Sequence, residues 1–324
     1  GEVKVFAIEG EGGHTAGAHH EVKNSAWGLG LDNLIYLFDW NDHGIDFFAN
    51  SEVVHGSPVE WFESYGWRVA GTTEGESYAA ITRALLQIVC DENTGGRPGC
   101  VWVKTRKGRG YHKFDYHSHG AAHKRNSDLF WRCRDDFQKK YGVAFDGFGN
   151  TNDPGEGACR EQTRKWFETV FAVLAGDREL VEYLADTLVE LGESVPERPE
   201  GFRLTASVNL ARDTSWLAPE KLPAGLFVAP GTSVANKNAF VTFGAWLNSF
   251  SREQMGRPLV LACSADLAES TGIAGFEKDF GSAKGFGWYE RTKNPHGALL
   301  PQQITEFTNS GLMCGLATVN MSAQ

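Results

Sequence analysis

The 324-residue sequence lacks a long apolar run, and its first residues lack a basic segment followed by an apolar one. A membrane-spanning helix needs a run of about 18 apolar residues or more, and a secretory signal needs the second pattern. Neither feature is visible in the sequence. We therefore expect a cytoplasmic protein without a membrane partner.

Positive charge is also in short supply. Lys and Arg total 31 against 41 Asp and Glu, which gives a formal net charge of -10. Because nonspecific binding to nucleic acid depends on an excess of cations, this balance argues against a nucleic-acid partner. We expect small-molecule chemistry instead.

The six cysteines include no CxxC pair, so we expect reduced and mostly structural thiols. A hydrophobic content of 41% is enough to bury a substantial core in two domains or parts of two. The chain begins almost inside an apolar strand pattern and stops just after a small-residue helix pattern. We therefore expect a fragment or one subunit.

Strand and helix patterns alternate along residues 1–125. Short apolar runs at "VKVFAI", "NLIYLFDW", "GWRVAG" and "GCVWVKT" predict strands, while residues 15–28 and "SYAAITRALLQIVC" predict helices. Such alternation is typical of a parallel sheet covered by helices on both faces. The predicted fold class is therefore α/β, with 1–125 as its first domain.

The character of the sequence changes at residue 126. Charged amphipathic patterns at "SDLFWRCRDDFQKKYG", "EQTRKWFETVFAVLAG" and "ELVEYLADTLVELGESV" predict a helical connecting region over 126–225. A second α/β segment over 226–324 follows, with the helix "NKNAFVTFGAWLNSF", the strand "PLVLACSA" and the helix "TEFTNSGLMCGLATVNM".

The stretch "GEGG", residues 10–13, lies between the first predicted strand and a helix. Ligands of open parallel sheets bind beyond the carboxyl ends of the strands, where the backbone amides of Gly12 and Gly13 can hold a phosphate. Taken alone, the stretch is better read as a tight turn. One crossover later, the next strand delivers Asn41 and the main-chain oxygen of His43. With the Glu11 carboxylate, these oxygens suit Mg²⁺ or Ca²⁺.

These residues carry a resemblance to a family. "GEGGHTAGAHHEVKNSAWGLGLDNLIYLFDWNDHGID" resembles the thiamine-diphosphate signature of transketolases, a GDG turn followed about thirty residues later by an asparagine. "VKTRKGRGY" with "SHGA", then "CSADLAEST" and "ITEFTNSGLMCGLA", resemble further motifs of that family in the family's order. The resemblance implies a thiamine-diphosphate-binding fold. It also implies that 1–125 is an N-terminally incomplete diphosphate domain and that 226–324 starts the pyrimidine-binding domain.

The resemblance implies thiamine diphosphate and Mg²⁺ or Ca²⁺ as cofactors. The residues that would bind the thiamine diphosphate are Gly10, Gly12, Gly13, Asn41, His119, Asp266, Leu267 and Glu306. The metal ligands would be Glu11, Asn41 and His43, the last through its main-chain oxygen. Glu306 would hydrogen-bond to the aminopyrimidine nitrogen, and His119 would lie near the diphosphate and the reacting carbonyl as a donor or proton shuttle.

Other readings of these residues stay open. Glu306 is also suited to the first turn of a helix, where an acid interacts favourably with the helix dipole. A transition-metal site is a weaker alternative for the clustered loop histidines, which are His112, His117, His119 and His123. Arg106 and Lys107 could bind phosphates, but we expect them to be solvated.

Three departures from the family pattern concern binding. Glu11 stands where the family has an aspartate, so its carboxylate must fold back or the metal must shift. Ala16 replaces a glutamate that links the two active sites of the family's dimer. Ser233 replaces an arginine that binds sugar phosphates, and a serine supplies neither the charge nor the fork of a guanidinium. We therefore expect an unusual or nonphosphorylated donor and acceptor.

The resemblance predicts transfer of a two-carbon ketol unit from a ketose-type donor to an aldehyde, in a homodimer or an assembly with a complementary chain. Glu306 and the diphosphate site would then come from different chains. One alternative is a decarboxylating component of the 2-oxo acid dehydrogenase type. Another is a noncatalytic or partial subunit.

Overall fold

The computed structural model describes residues 3–120, 122–152, 155–194, 213–301 and 304–322. Its sheet contains β1 (Val5–Gly10), β2 (Leu34–Trp40), β3 (Arg68–Thr72) and β4 (Gly99–Lys104), and all pairs are parallel in the order β1-β2-β4-β3. The four strands predicted for the first domain are confirmed. Gly10 at the end of β1 lies opposite Asp39, so both strands end at the same edge of the sheet.

Five helices alternate with these strands: α1 (Glu11–His14), α2 (Gly17–Gly28), α3 (Asn50–Val53), α4 (Pro58–Glu63) and α5 (Tyr78–Val89). Successive side chains of a strand point to opposite faces, so Tyr36 and Cys100 belong to one buried cluster while Ile35 and Val101 belong to another. Burial on both faces explains why β2 and β4 are nearly continuous apolar runs.

The helical region contains α6 (Asp128–Tyr141), α7 (Glu156–Gly176) and α8 (Arg178–Ser194), as the charged amphipathic patterns predict. Trp131 of α6 and Trp166 of α7 pack with Phe145 as a buried aromatic cluster. The Ser127 hydroxyl accepts a hydrogen bond from the Phe130 amide, and Gly142 ends α6 in the left-handed conformation.

The last part of the chain contains α9 (Asn236–Met255), α10 (Ala268–Thr271) and α11 (Glu306–Ser322). The strand predicted at "PLVLACSA" is wrong, because this segment forms only a single bridge, between Ala262 and Leu299. Val260 and Leu261 remain 38% and 43% exposed. An apolar run becomes a strand only when a neighbouring strand pairs with it, and the described part of the chain supplies one bridging residue.

The chain divides into two compact units that are interleaved in sequence. The first contains the described residues of Gly1–Trp40, Val54–Lys104 and Arg203–Gln324, and the second those of Asn41–Val53 and Thr105–Phe202. The domain boundaries at 125 and 225 remain predictions. Within the described ranges, none of the helices combines the length and apolar character needed to cross a membrane.

Arg68 of β3 links the sheet to α5 and to the residues that follow it. Its side chain is buried and donates hydrogen bonds to the main-chain oxygens of Ile88 and Arg97 and to the Asp91 carboxylate. Arg68→Met leaves these acceptors without their donor, so we expect the free energy of unfolding to fall by about 3 kcal/mol. Urea denaturation measures the change. Arg83→Met, at an exposed position of α5, is the control and should change the free energy of unfolding by less than about 0.5 kcal/mol. Equal effects of the two substitutions would contradict the expectation.

Candidate functional site

The glycine turn joins β1 directly to α1. Gly10 is extended (φ -100, ψ 164), and Glu11 begins the helix. The Glu11 side chain is 1% exposed, whereas Gly12 and Gly13 are exposed. The first amides of a helix have no acceptor within the helix. The turn therefore presents glycine backbone to solvent and directs its acid inward.

Glu9, which no sequence pattern marks as a site residue, also belongs to this turn. Its carboxylate Oε1 accepts a hydrogen bond from the Gly10 amide at 3.0 Å. A Cβ atom on Gly13 would lie 2.6 Å from the Glu9 Cδ atom, so the carboxylate packs directly against Gly13. The only signal in the sequence was an acid immediately before the glycines.

Two buried histidines follow Glu11. His14 is 3% exposed and packs against the rings of Trp61 and Phe38, with centroids 4.8 and 5.3 Å away. His19 is 7% exposed, and its ring lies 4.8 Å from that of His14. His14 Nδ1 and His19 Nε2 have no hydrogen-bond partner among the described residues. Burial, reinforced by the charge of Lys23, lowers the pKa of His14 to about 3 and that of His19 to about 4.

Lys23 is the third basic group of this cluster and is 1% exposed. Its Nζ atom donates to the Trp61 main-chain oxygen at 3.1 Å and lies 4.3 Å from the centroid of the Tyr65 ring. Burial lowers its pKa from 10.5 to about 8. Periodicity gave no sign of a buried lysine, because its polar partners come from α4 and the residues that follow it.

In the second unit, Asn41 and His43 lie in the loop that follows β2. The Asn41 Oδ1 atom accepts a hydrogen bond from the His43 amide at 3.0 Å. His43 Nε2 lies 3.6 Å from Asp115 Oδ1. The Asp42 carboxylate accepts bonds from the Ser51 amide and hydroxyl, both at 2.8 Å, and fixes Asp42 at a φ of 70. The imidazole of His43 is thus directed to Asp115.

His119 lies in the same unit, directly after a short 3₁₀ turn over Asp115–Ser118, and it is exposed. His123 instead stacks on Tyr111 with centroids 4.0 Å apart. In the part of the chain that the structure describes, no three His, Cys, Asp or Glu side chains are placed to hold a metal. The transition-metal alternative for the loop histidines therefore has no support.

Arg106 and Lys107 lie in the basic loop after β4, where the sequence predicts that both cations are solvated. Arg106 is exposed, as predicted, and pairs loosely with Asp115 at 3.5 Å. The prediction for Lys107 is wrong, because its half-buried ammonium donates to the main-chain oxygen of Gly44. This contact ties the loop after β4 to the loop after β2. Its acceptor is a main-chain atom, which sequence composition does not reveal.

Asp266 and Leu267 form an exposed turn before α10 in the first unit. The Asp266 carboxylate accepts a hydrogen bond from the Leu267 amide at 2.6 Å. Both residues line a cavity of about 530 Å³ that is also lined by Trp288 and Ile304. Ile304 lies two residues before Glu306, so this cavity lies beside the start of α11.

Glu306 is the first residue of α11 and is exposed in the single chain. The next two amides of that helix, at Phe307 and Thr308, both donate to Glu21 Oε2 at 3.1 Å. Glu21, on α2, therefore caps the helix that carries Glu306. The sequence gives no local signal of this contact, because the acceptor and donors are 286 and 287 residues apart.

The structure distributes the predicted site residues between the two units. The first contains the turn residues Gly10 to Gly13 together with Asp266, Leu267 and Glu306. The second contains Asn41, His43 and His119. The parallel sheet, its flanking helices and the glycine turn define an α/β protein with a thiamine-diphosphate-binding fold.

Comparisons with known proteins agree. Residues 2–176 match the family model described as transketolase, thiamine diphosphate binding domain. Transketolase of Halalkalibacterium halodurans is 25% identical over 285 residues, which are 85% of this chain and 37% of that protein. Transketolase of Geobacillus stearothermophilus is 31% identical over 106 residues, 33% of this chain and 15% of that protein.

Solved structures give the same fold. A transketolase mutant from Pichia stipitis and the transketolase from Leishmania mexicana each match with a TM-score of 0.59, at 19% and 18% identity. Each match covers 97% of this chain and 41% of the other. The chain belongs to the transketolase family, and it spans well under half the length of these relatives.

The buried histidines make stability depend on pH. Their folded pKa values lie below the ordinary 6.5, so between pH 6.5 and about 4 the unfolded chain takes up protons that the folded protein does not. Their stabilising contribution is complete above pH 6.5 and is lost as the pH falls. We expect His14→Phe to reduce the loss of unfolding free energy between pH 7 and 4 by about 2 kcal/mol.

Urea denaturation at each pH measures this loss. His55→Phe is the matched control, because His55 is exposed, and it should leave the pH dependence of the wild type unchanged. Parallel pH profiles for His14→Phe and the wild type would contradict the assignment.

Proposed function

We propose that the chain is part of a thiamine-diphosphate-dependent transferase that moves a two-carbon ketol unit from a ketose-type donor to an aldehyde acceptor. The observation that carries this proposal is the turn at the end of β1. Its acid, Glu11, is buried, whereas Gly12 and Gly13 are exposed at the edge of a parallel sheet, where such folds bind ligands. The family match over residues 2–176 includes this turn.

The residues present fit a divalent cation in their chemistry. Glu11 offers a buried carboxylate, Asn41 an amide oxygen and His43 a main-chain oxygen, and oxygen sets of this kind suit Mg²⁺ or Ca²⁺. Gly10, Gly12 and Gly13 would hold the diphosphate. Apart from its two chain neighbours, no described residue would lie within 4 Å of a Cβ atom on Gly10, so Glu9, which accepts its amide, is the group that a ligand would meet there.

Thiamine diphosphate supplies an electron sink at its C2 atom when it is bound. The chain's own residues orient it and hold protons. Glu306 would hydrogen-bond to the aminopyrimidine nitrogen, Asp266 and Leu267 would line the cavity for that ring, and His119 would donate to the reacting carbonyl. The exposure of His119 suits a donor that must reach substrate.

The same proposal includes an assembly of two chains in the cytoplasm. Glu306 is exposed in the single chain, whereas a carboxyl that acts on the aminopyrimidine needs to be buried beside the cofactor. A second copy, or a complementary chain with the segments present in longer relatives, would cover it. The diphosphate turn and Glu306 of one active site would then come from different chains.

The substrate is proposed to lack a terminal phosphate. Ser233, which stands in place of the family's arginine, is exposed and uncharged. The same replacement favours the second candidate, a decarboxylating enzyme that acts on a 2-oxo acid. A noncatalytic subunit is the third, motivated by Glu11 and Ala16 in place of the family's acids.

Glu306→Gln tests the catalytic assignment. Because an amide cannot supply the charged hydrogen bond to the aminopyrimidine, we expect turnover by the full native assembly to fall by about 100-fold or more while thiamine diphosphate still binds. Glu253→Gln, at an exposed position of α9, is the matched control and should retain full activity. Retained activity in Glu306→Gln would remove Glu306 from the mechanism.

The products separate the candidate functions. Transfer from a ketose to an aldehyde without release of gas supports ketol transfer. Release of carbon dioxide from pyruvate supports the decarboxylating enzyme instead. Absence of both activities in an assembly that binds no thiamine diphosphate supports the noncatalytic subunit.

A further inference from the structure

The glycine turn already contains an anion from its own chain. Glu9 is the penultimate residue of β1, and its side chain folds forward so that Oε1 accepts the Gly10 amide at 3.0 Å. The same carboxylate packs so closely against Gly13 that a Cβ atom there would collide with it. The Glu9 carboxylate therefore contacts two of the three glycines of the turn, Gly10 and Gly13.

Its position contrasts with that of the other acid in the turn. Glu11 is 1% exposed and points into the protein, whereas Glu9 is half-buried and lies beside the exposed glycines. A ligand that approaches these glycines from solvent meets the Glu9 carboxylate before it can use the Gly10 amide. A phosphate in this position would lie a few ångströms from the Glu9 carboxylate, and like charges at such a distance repel strongly near a protein surface. The buried carboxylate of Glu11 adds to the negative charge of the turn.

We propose that Glu9 sets the affinity of the turn for diphosphate by competing with it. Its carboxylate accepts the Gly10 amide and packs against Gly13, and it must swing out of the turn before a diphosphate can bind there. This inference rests on the proposed function, which assigns the diphosphate to this turn. Glu9 is thus a determinant of cofactor affinity that acts through charge and occupancy.

The competition is specific to the phosphate part of the cofactor. Thiamine without phosphates carries no anion to the turn, so its binding is independent of Glu9. Screening also weakens the repulsion between partly exposed charges, since the Debye length is about 3 Å at 1 M salt. A carboxylate that merely stabilised the local fold would affect all ligands alike and at every salt concentration.

Two substitutions in the full native protein test this inference. Glu9→Gln keeps a hydrogen-bond acceptor for the Gly10 amide and removes the charge, while Glu9→Ala empties the turn. Glu74→Gln is the matched control, because it removes one negative charge from an exposed loop position of the same unit. Binding of pyrophosphate, thiamine diphosphate and thiamine is measured by calorimetry with Mg²⁺ present, at low and at about 1 M salt.

We expect Glu9→Gln and Glu9→Ala to bind pyrophosphate and thiamine diphosphate about tenfold more tightly than the wild type at low salt, with a smaller gain at high salt. Thiamine affinity and the Glu74→Gln protein should be unchanged. Unchanged or weaker diphosphate binding in both Glu9 variants overturns the inference alone, because the wild type still binds diphosphate. No diphosphate binding by the wild type or any variant overturns the proposed function, and the inference with it.

Discussion

The parallel pairing of β1 with β2 is the constraint on which the candidate site depends. Gly10 lies opposite Asp39, so the glycine turn and the loop with Asn41 leave the sheet at the same edge. The helix between the strands returns the chain to the other edge, as every parallel connection requires. This pairing is stable because β2 lies inside the sheet, with Ile35 and Phe38 almost fully buried on its opposite faces. A one-residue slip would exchange the faces on which these side chains pack and would misplace the turn together with them.

The sequence was sufficient to predict this part of the fold because its signals are local. Short apolar runs predicted the four strands, and charged amphipathic patterns predicted α6 to α8. The strand expected at "PLVLACSA" failed because strand formation there depends on a neighbour, and Ala262 finds only one bridging partner. The candidate site shows the same difference between local signals and contacts with distant residues. Spacing predicts Glu11 and Asn41 as site residues, and this stays a prediction, whereas Glu21 accepts amides near the other end of the chain and has no local signal.

Charge explains most of what the pattern missed. Lys23 and the two histidines are buried together, and the cost of burying charge keeps the histidines neutral at physiological pH. Burial and partner contacts arise from tertiary packing, so residue type and spacing alone did not reveal them. On the solvent side of the turn the charge is negative, from Glu9. The proposed diphosphate site would therefore have its basic groups inside and an acid beside its exposed glycines, and the proposed divalent cation would supply positive charge to the ligand.

The dependence of thiamine diphosphate binding on a divalent cation is the most direct measurement. Thiamine diphosphate is titrated into the full native protein with and without Mg²⁺, in the wild type and in Glu11→Gln, which keeps the size of the side chain and removes its charge. The account predicts binding by the wild type that depends on Mg²⁺, and a loss of about tenfold or more in Glu11→Gln, because the cation loses its only charged ligand among the proposed three. Binding that is equally tight without the metal, or unchanged in Glu11→Gln, would contradict a metal-dependent diphosphate site at this turn.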